Sequence, residues 1–154
     1  MKAAYFGNTG PASVIEIGDI AETPLQAGEV RVRVKACALN PIDLYIRAGT
    51  VAMPLNPQQV TGCDLAGEVV EVAPDVQQFR PGDRVWGSNQ GILGRQGTVS
   101  EYAAVNQEWL YLSPAGISDE QMAAMALTGL TAHLGLFDRG RLRQGETVYV
   151  SGGS

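Results

Sequence analysis

One decapeptide constrains the fold of this chain more than any other stretch. From Glu29 to Ala38 the residues alternate without a break, with Val30, Val32, Val34, Ala36 and Ala38 on one side and Arg31, Arg33, Lys35 and Cys37 on the other. A period of two sends successive side chains to opposite faces, so the segment predicts a half-buried β-strand, apolar inward and cationic outward. The outward cations read as a solvated face in preference to a binding surface.

Shorter pieces repeat the theme. Lys2 to Phe6 and Ser13 to Ile17 predict two strands around an Asn8-Thr9-Gly10-Pro11 turn. Cys63 to Ala73 is a second long apolar segment with β-branched residues, stopped by Pro74. Phe79-Arg80-Pro81-Gly82-Asp83 is a turn that feeds a strand through Val85 and Trp86, and Thr98 to Val105 is a further strand. The chain holds 19 glycines among 154 residues, well above the usual share of about 7%. They are dispersed between short apolar segments, as in a turn-rich β domain. One short helix is written into this part: Asn40 at the cap, Pro41 at the first helical position, Asp43 in the first turn and Gly49 at the stop.

The pattern changes after Ser113-Pro114. Ser118-Asp119-Glu120-Gln121 is a capping box. Met122, Met125 and Ala126 follow at helical spacing and are expected in the core. Gly129 interrupts, and Leu130 to Phe137 continues helically, so a helix pair is expected. Glu146 to Ser151 predicts a strand, followed by Gly152-Gly153-Ser154. Glycines directly after a strand open the turn that sets backbone N–H groups against a pyrophosphate at a helix N-terminus. The expectation is a polypeptide that stops at the start of a second domain, where an unpaired apolar strand frays or recruits a partner.

Composition excludes several classes. With 45% hydrophobic and 18% charged residues, the chain has apolar surface enough to fold and is not a disordered segment. A net charge of −5 lacks the basic balance of a general nucleic-acid binder. No apolar run approaches the roughly 20 residues of a membrane span, and Gly7 and Asn8 break the N-terminus before a signal-peptide core forms. Two cysteines do not make a disulfide framework. The expected setting is cytoplasmic, with neither nucleic acid nor membrane as a partner.

Three ordered segments resemble the medium-chain dehydrogenase/reductase superfamily, and within it the zinc-independent, zeta-crystallin-like quinone oxidoreductases. They are Cys37-Ala38-Leu39-Asn40-Pro41-Ile42-Asp43-Leu44-Tyr45-Ile46-Arg47-Ala48-Gly49; Gly62-Cys63-Asp64-Leu65-Ala66-Gly67-Glu68-Val69 with Pro81-Gly82-Asp83-Arg84-Val85; and Leu127-Thr128-Gly129-Leu130-Thr131-Ala132-His133-Leu134 with Gly145 through Ser154. The resemblance implies a mainly β, α+β chain: a GroES-like, partly open barrel over residues 1–116 as the catalytic domain. Over residues 117–154 it implies the helix pair and first strand of a Rossmann cofactor-binding domain, cut at the glycine loop. It also implies NADPH as cofactor, a quinone or enone as small-molecule substrate, and a homodimer in the full-length form.

Zinc members of this superfamily place Cys, His and Cys or Asp at three positions held here by Asn40, Cys63 and Leu127. One thiol, an amide and a leucine are not a zinc site, and a structural zinc lobe needs four closely spaced cysteines. No zinc is expected. Without a strong Lewis acid the substrate must accept hydride readily, as a quinone does.

The resemblance assigns roles residue by residue. Asn40 is expected near the nicotinamide and the substrate, where its amide hydrogen-bonds either, against the plainer role of a helix cap. Tyr45 is expected to line the substrate pocket and offer its hydroxyl to a carbonyl oxygen, or else to be a core tyrosine with a wet tip. Thr131 is expected to face the nicotinamide, the alternative being a bond back to its own helix. Gly152, Gly153 and Ser154 are assigned to the cofactor. Arg47, His133 and Cys63 read as structural. The second tyrosine that quinone reductases of this group often carry after the Gly-Thr pair is replaced by Val51, which bears on substrate class. Ser88 to Gly97 forms either a mobile pocket wall or an ordinary surface loop. The functional alternatives are an enoyl reductase of the same superfamily and a non-catalytic GroES-like binding or structural module.

Overall fold

A computed structural model describes residues 1–152. It is built from β1 (Lys2–Phe6), β2 (Glu16–Asp19), β3 (Glu29–Ala38), α1 (Pro41–Ala48), β4 (Gln59–Val60), β5 (Asp64–Val72), β6 (Arg84–Gly87), β7 (Tyr102–Asn106), β8 (Leu110–Leu112) and α2 (Asp119–His133). The strands form two antiparallel sheets in the orders β2-β1-β4 and β7-β3-β5-β6-β8.

The alternating decapeptide is β3, with the bounds its pattern predicts, and it lies inside the larger sheet between β5 and β7. Val30 and Val32 are fully buried, and with Leu65, Val69, Val85, Val105 and Phe79 they form the core. The outward cations pair across the sheet: Arg31 with Glu71 at 2.8 Å and Arg33 with Glu68 at 3.0 Å. Cross-strand ion pairs thus hold Arg31, whose side chain is only 13% exposed, and Arg33, while Lys35 is exposed to solvent. The smaller sheet is tied to the larger one where β1 meets the segment that enters β7, by Ala4 N on Val99 O at 2.9 Å, Glu101 N on Lys2 O at 3.0 Å and a bridge between Ala3 and Ser100, which makes a partly open barrel.

Several elements depart from the local reading. Ser13 to Ile17 divides into a 3-10 turn at Ala12–Val14 and a strand that begins only at Glu16. Gly129 does not interrupt α2; one helix runs through it and continues into a π-helical turn at Leu134–Arg139, closed by Gly140 N on Gly135 O at 2.8 Å. A helical glycine costs about 1 kcal/mol relative to alanine, which the capping box at Ser118 and Gln121 helps to offset. The buried stripe of α2 is Ala123 and Ala126, and Met125 is 63% exposed. Small side chains let this helix lie close on β5 and β3, and methionine has no room there. The strand expected over Glu146 to Ser151 is not formed: no described strand lies beside it to take its ladder bonds, and Tyr149 is exposed.

Candidate active site

The chemistry-bearing residues converge on one buried carboxylate. Asp64, the first residue of β5, has no exposed surface. A charge taken out of water must be paired or fully hydrogen-bonded, and here the partners are donors from separate elements. Ser88 Oγ donates to Oδ1 at 2.6 Å, while Asn40 Nδ2 and Leu127 N donate to Oδ2 at 2.9 and 3.1 Å. Thr98 Oγ1 donates to the Asp64 carbonyl at 2.8 Å. Asp64 therefore joins the end of β6, the cap of α1 and the middle of α2.

A second buried acid supports the cap. Asp43 Oδ2 accepts from Asn40 N at 2.7 Å, completing one half of a capping box at the start of α1. Burial pushes the Asp43 carboxyl up to about 6; the N–H of Asn40 pulls the other way, the Asp64 charge adds to the rise, and the N–H groups of Cys63 and Gly62 oppose it. Cys63 is fully buried with its sulfur 3.8 Å from Ser88 Oγ. Burial pushes that thiol up to about 11, partly opposed by Ser88 and reinforced by Asp64 and Asp43. A thiol held in this way is protonated and unreactive.

Asn40 is 5% exposed and its amide nitrogen is committed to Asp64. Tyr45 lies on α1 and is half exposed. Thr131 is exposed on α2, four residues after Leu127 and so one turn along the same face. Asp64 thus brings Asn40 against the helix that carries Thr131. Gly152 sits exposed in a turn at φ 71°, with no described contact to either. Gly153 and Ser154 lie outside the described residues.

The remaining candidates have structural partners. Arg47 Nη1 donates to Gly10 O and Gly10 N donates to Arg47 O, which pins α1 to the turn after β1. His133 is exposed and stacks on Phe137, with ring centroids 5.1 Å apart. The Ser88–Gly97 stretch is tied down by Gln90 N on Cys63 O at 3.1 Å and by Arg95 Nε on Asn89 O at 2.7 Å. Asp64 is the residue that sequence reasoning passed over. Its one local signal is an acid at the start of a strand whose next three residues, Leu65, Ala66 and Gly67, are without charge.

A cavity of about 530 Å³ lies on another face, between β3, β7 and the loop through Arg95, and neither Asn40, Tyr45 nor Thr131 lines it. Its arginines are engaged within the protein, Arg31 by Glu71 and Thr23, and Arg95 by Asn89 and the Trp109 ring 5.0 Å away. Apolar side chains are exposed at both helices: Leu39, Leu44 and Tyr45 at α1, and Met125, Leu134 and Phe137 on α2 and its π-helical turn, each expose half or more of their surface. Among the described residues, no group of three His, Cys, Asp or Glu side chains is placed to hold a metal ion, and no helix is long and apolar enough to cross a membrane.

Residues 26–115 match the alcohol dehydrogenase GroES-like domain family. The chain is 38% identical over 147 residues to a quinone oxidoreductase of Pseudomonas aeruginosa, covering 96% of this chain and 44% of that protein. It is 40% identical over 130 residues to the spectinabilin polyketide synthase system protein NorB of Streptomyces orinoci, 84% of this chain and 6% of that one. Among solved structures it superposes on the Escherichia coli quinone oxidoreductase complexed with NADPH with a TM-score of 0.80 and 30% identity, over 88% of this chain and 40% of that one. The chain spans less than half the length of each of these proteins.

Proposed function

Because this chain belongs to the alcohol dehydrogenase GroES-like domain family of the medium-chain dehydrogenase/reductase superfamily, we propose that it is the catalytic portion of a zinc-independent, NADPH-dependent quinone oxidoreductase. Residues 1–116 are the catalytic domain, and 117–154 begin the cofactor-binding domain. The observation that carries the reading is the Asp64 junction, which sets Asn40, the cap of α1, against the helix bearing Thr131; Tyr45 is exposed on α1.

The donor set does not fit zinc. Asn40 Nδ2 is held by Asp64, Leu127 contributes only a main-chain N–H, and Cys63 is a buried, protonated thiol. It does fit a nicotinamide, a flat ring with one carboxamide, for which Thr131 supplies an exposed hydroxyl and Asn40 an amide oxygen. NADPH supplies the hydride when bound. Asn40 and Thr131 orient the ring, and Gly152, Gly153 and Ser154 take the pyrophosphate. Tyr45 Oη hydrogen-bonds the substrate oxygen and donates the proton, with water as the other source. The exposed apolar side chains, Leu44 on α1 and Met125 on α2 among them, suit an apolar quinone or enone ring.

The 40% identity to a polyketide synthase system protein favours a second reading, an enoyl reductase acting on an activated double bond. NADPH titration by fluorescence on the polypeptide carrying this chain, followed by turnover of benzoquinone and of a crotonyl thioester, tests both. Saturable binding with faster quinone turnover supports the first reading, and faster thioester turnover supports the second. Absence of NADPH binding overturns both in favour of a non-catalytic module.

A further inference from the structure

We propose that Asp64 is a positioning residue that fixes the polarity of Asn40: it holds the amide nitrogen, so that only the amide oxygen can serve a ligand. The position then recognises a hydrogen-bond donor, the N–H of a primary carboxamide, and not the carbonyl oxygen of a quinone or enone. The ligand assignment rests on the nicotinamide reading above; the polarity rests on the hydrogen bonds alone.

An ionised carboxylate has no hydrogen to donate, so the end of the amide that faces it at 2.9 Å must be the NH₂ group. The carboxylate itself cannot turn away. Ser88 holds its other oxygen at 2.6 Å, the Leu127 N–H shares the oxygen used by Asn40, and Thr98 holds the main chain of the same residue. Asn40 is fixed from behind as well, by its own N–H on Asp43. Turning the amide over would set its oxygen against a buried carboxylate, exchanging a charge-assisted hydrogen bond for a repulsion. The amide oxygen lies over the first turn of α1 in the capping-box arrangement, and a carbonyl oxygen has two lone pairs, so one remains for a ligand. With 5% of the residue exposed, the contact is limited to one edge of the amide. A quinone oxygen has to find its donor elsewhere, and the Tyr45 hydroxyl is the exposed one on the same helix.

The test compares affinities for NADPH and for its 3-acetylpyridine analogue, in which a methyl replaces the carboxamide NH₂, alongside the side-chain ¹⁵N–¹H signal of Asn40. One neutral hydrogen bond sets the scale, so the wild type is expected to favour NADPH by roughly tenfold. Asn40→Leu should remove that preference. Asp64→Asn, whose amide can present either end to Asn40, should lower it severalfold while melting stays cooperative, and should speed exchange of the protected Asn40 amide proton. Equal affinity for both cofactors in the wild type overturns the ligand assignment, and a preference unchanged in Asp64→Asn overturns the positioning role. If neither cofactor binds the wild type, the nicotinamide reading fails and the carboxamide assignment with it. The Asn40 signal then decides polarity by itself, and a signal unmoved by Asp64→Asn overturns it.

Discussion

Leu127 and Asp64 are 63 residues apart in sequence, and the main-chain N–H of one donates to the carboxylate of the other at 3.1 Å. Through that bond the middle of α2 is tied to the first residue of β5, and the same carboxylate oxygen carries Asn40. Among the described residues, no cation pairs with Asp64. It is held by three donors, and two of them, the Asn40 amide and the Ser88 hydroxyl, are buried groups that would lose this acceptor if the carboxylate were removed.

Asp64→Ala is therefore expected to destabilise the fold by about 4 kcal/mol, the scale of leaving two buried polar groups without their acceptor. Asp64→Asn, which keeps an acceptor, should lose less than half of that. Urea denaturation at pH 7 measures both. A loss below about 1 kcal/mol in Asp64→Ala would mean that α2 is held by packing alone.

Asp43 makes stability depend on pH. Its carboxyl is raised to about 6 from an ordinary 3.8, chiefly by burial. Below pH 3.8 the group is protonated in both states and carries no penalty. As pH rises, the unfolded chain ionises first, so stability is lost between pH 3.8 and about 6 and the loss is complete above the folded value. The shift corresponds to about 3 kcal/mol. The wild type should lose about that much relative to Asp43→Asn between pH 4 and pH 7. Parallel stability curves for the two proteins would contradict the assignment.

Gly67 lies between β3 and β6, and a Cβ there would fall on the Arg33 carbonyl and within 3.1 Å of Val32 Cγ1. Gly67→Ala should cost about 3 kcal/mol, because the contact is with main chain in a packed sheet and has no flexible end to yield. Gly82→Ala meets nothing within 4 Å but sits at φ +94°, so its cost should be conformational and near 1 kcal/mol. Melting temperatures of the two variants should separate in that order.

Tyr45 is half exposed and has no described hydrogen bond inside the protein that its loss would break. Tyr45→Phe should leave stability within about 0.5 kcal/mol. If its hydroxyl supplies the proton, quinone turnover should fall by at least tenfold, toward the lower end of the range for general acid catalysis. Unchanged turnover would assign the proton to water.

Much of the fold was legible because its signals are local. The start and stop of α1 sit in one stretch, Asn40, Pro41, Asp43 and Gly49, and the structure has Pro41 opening the helix and Gly49 closing it at φ 79°. The bounds of β3 follow from alternation alone, and the capping box of α2 from four consecutive residues. The misreadings occur where neighbours decide. Met125 has helical spacing for the core, yet the sheet is close enough to α2 that only Ala123 and Ala126 fit beneath it. Glu146 to Ser151 has the composition of a strand, but a strand is stable only when another takes its main-chain bonds, and none of the described strands does.

By itself, then, the sequence determined the elements whose stability comes from residues within a few positions of one another: the alternating strand, the two capped helices and the glycine-marked turns. Only the tertiary structure decided that Asp64 is the centre of the site. Its donors lie 24, 24 and 63 residues away, and no spacing rule reaches that far. A carboxylate reads as surface in a sequence until folding removes its water and supplies the donors that replace it.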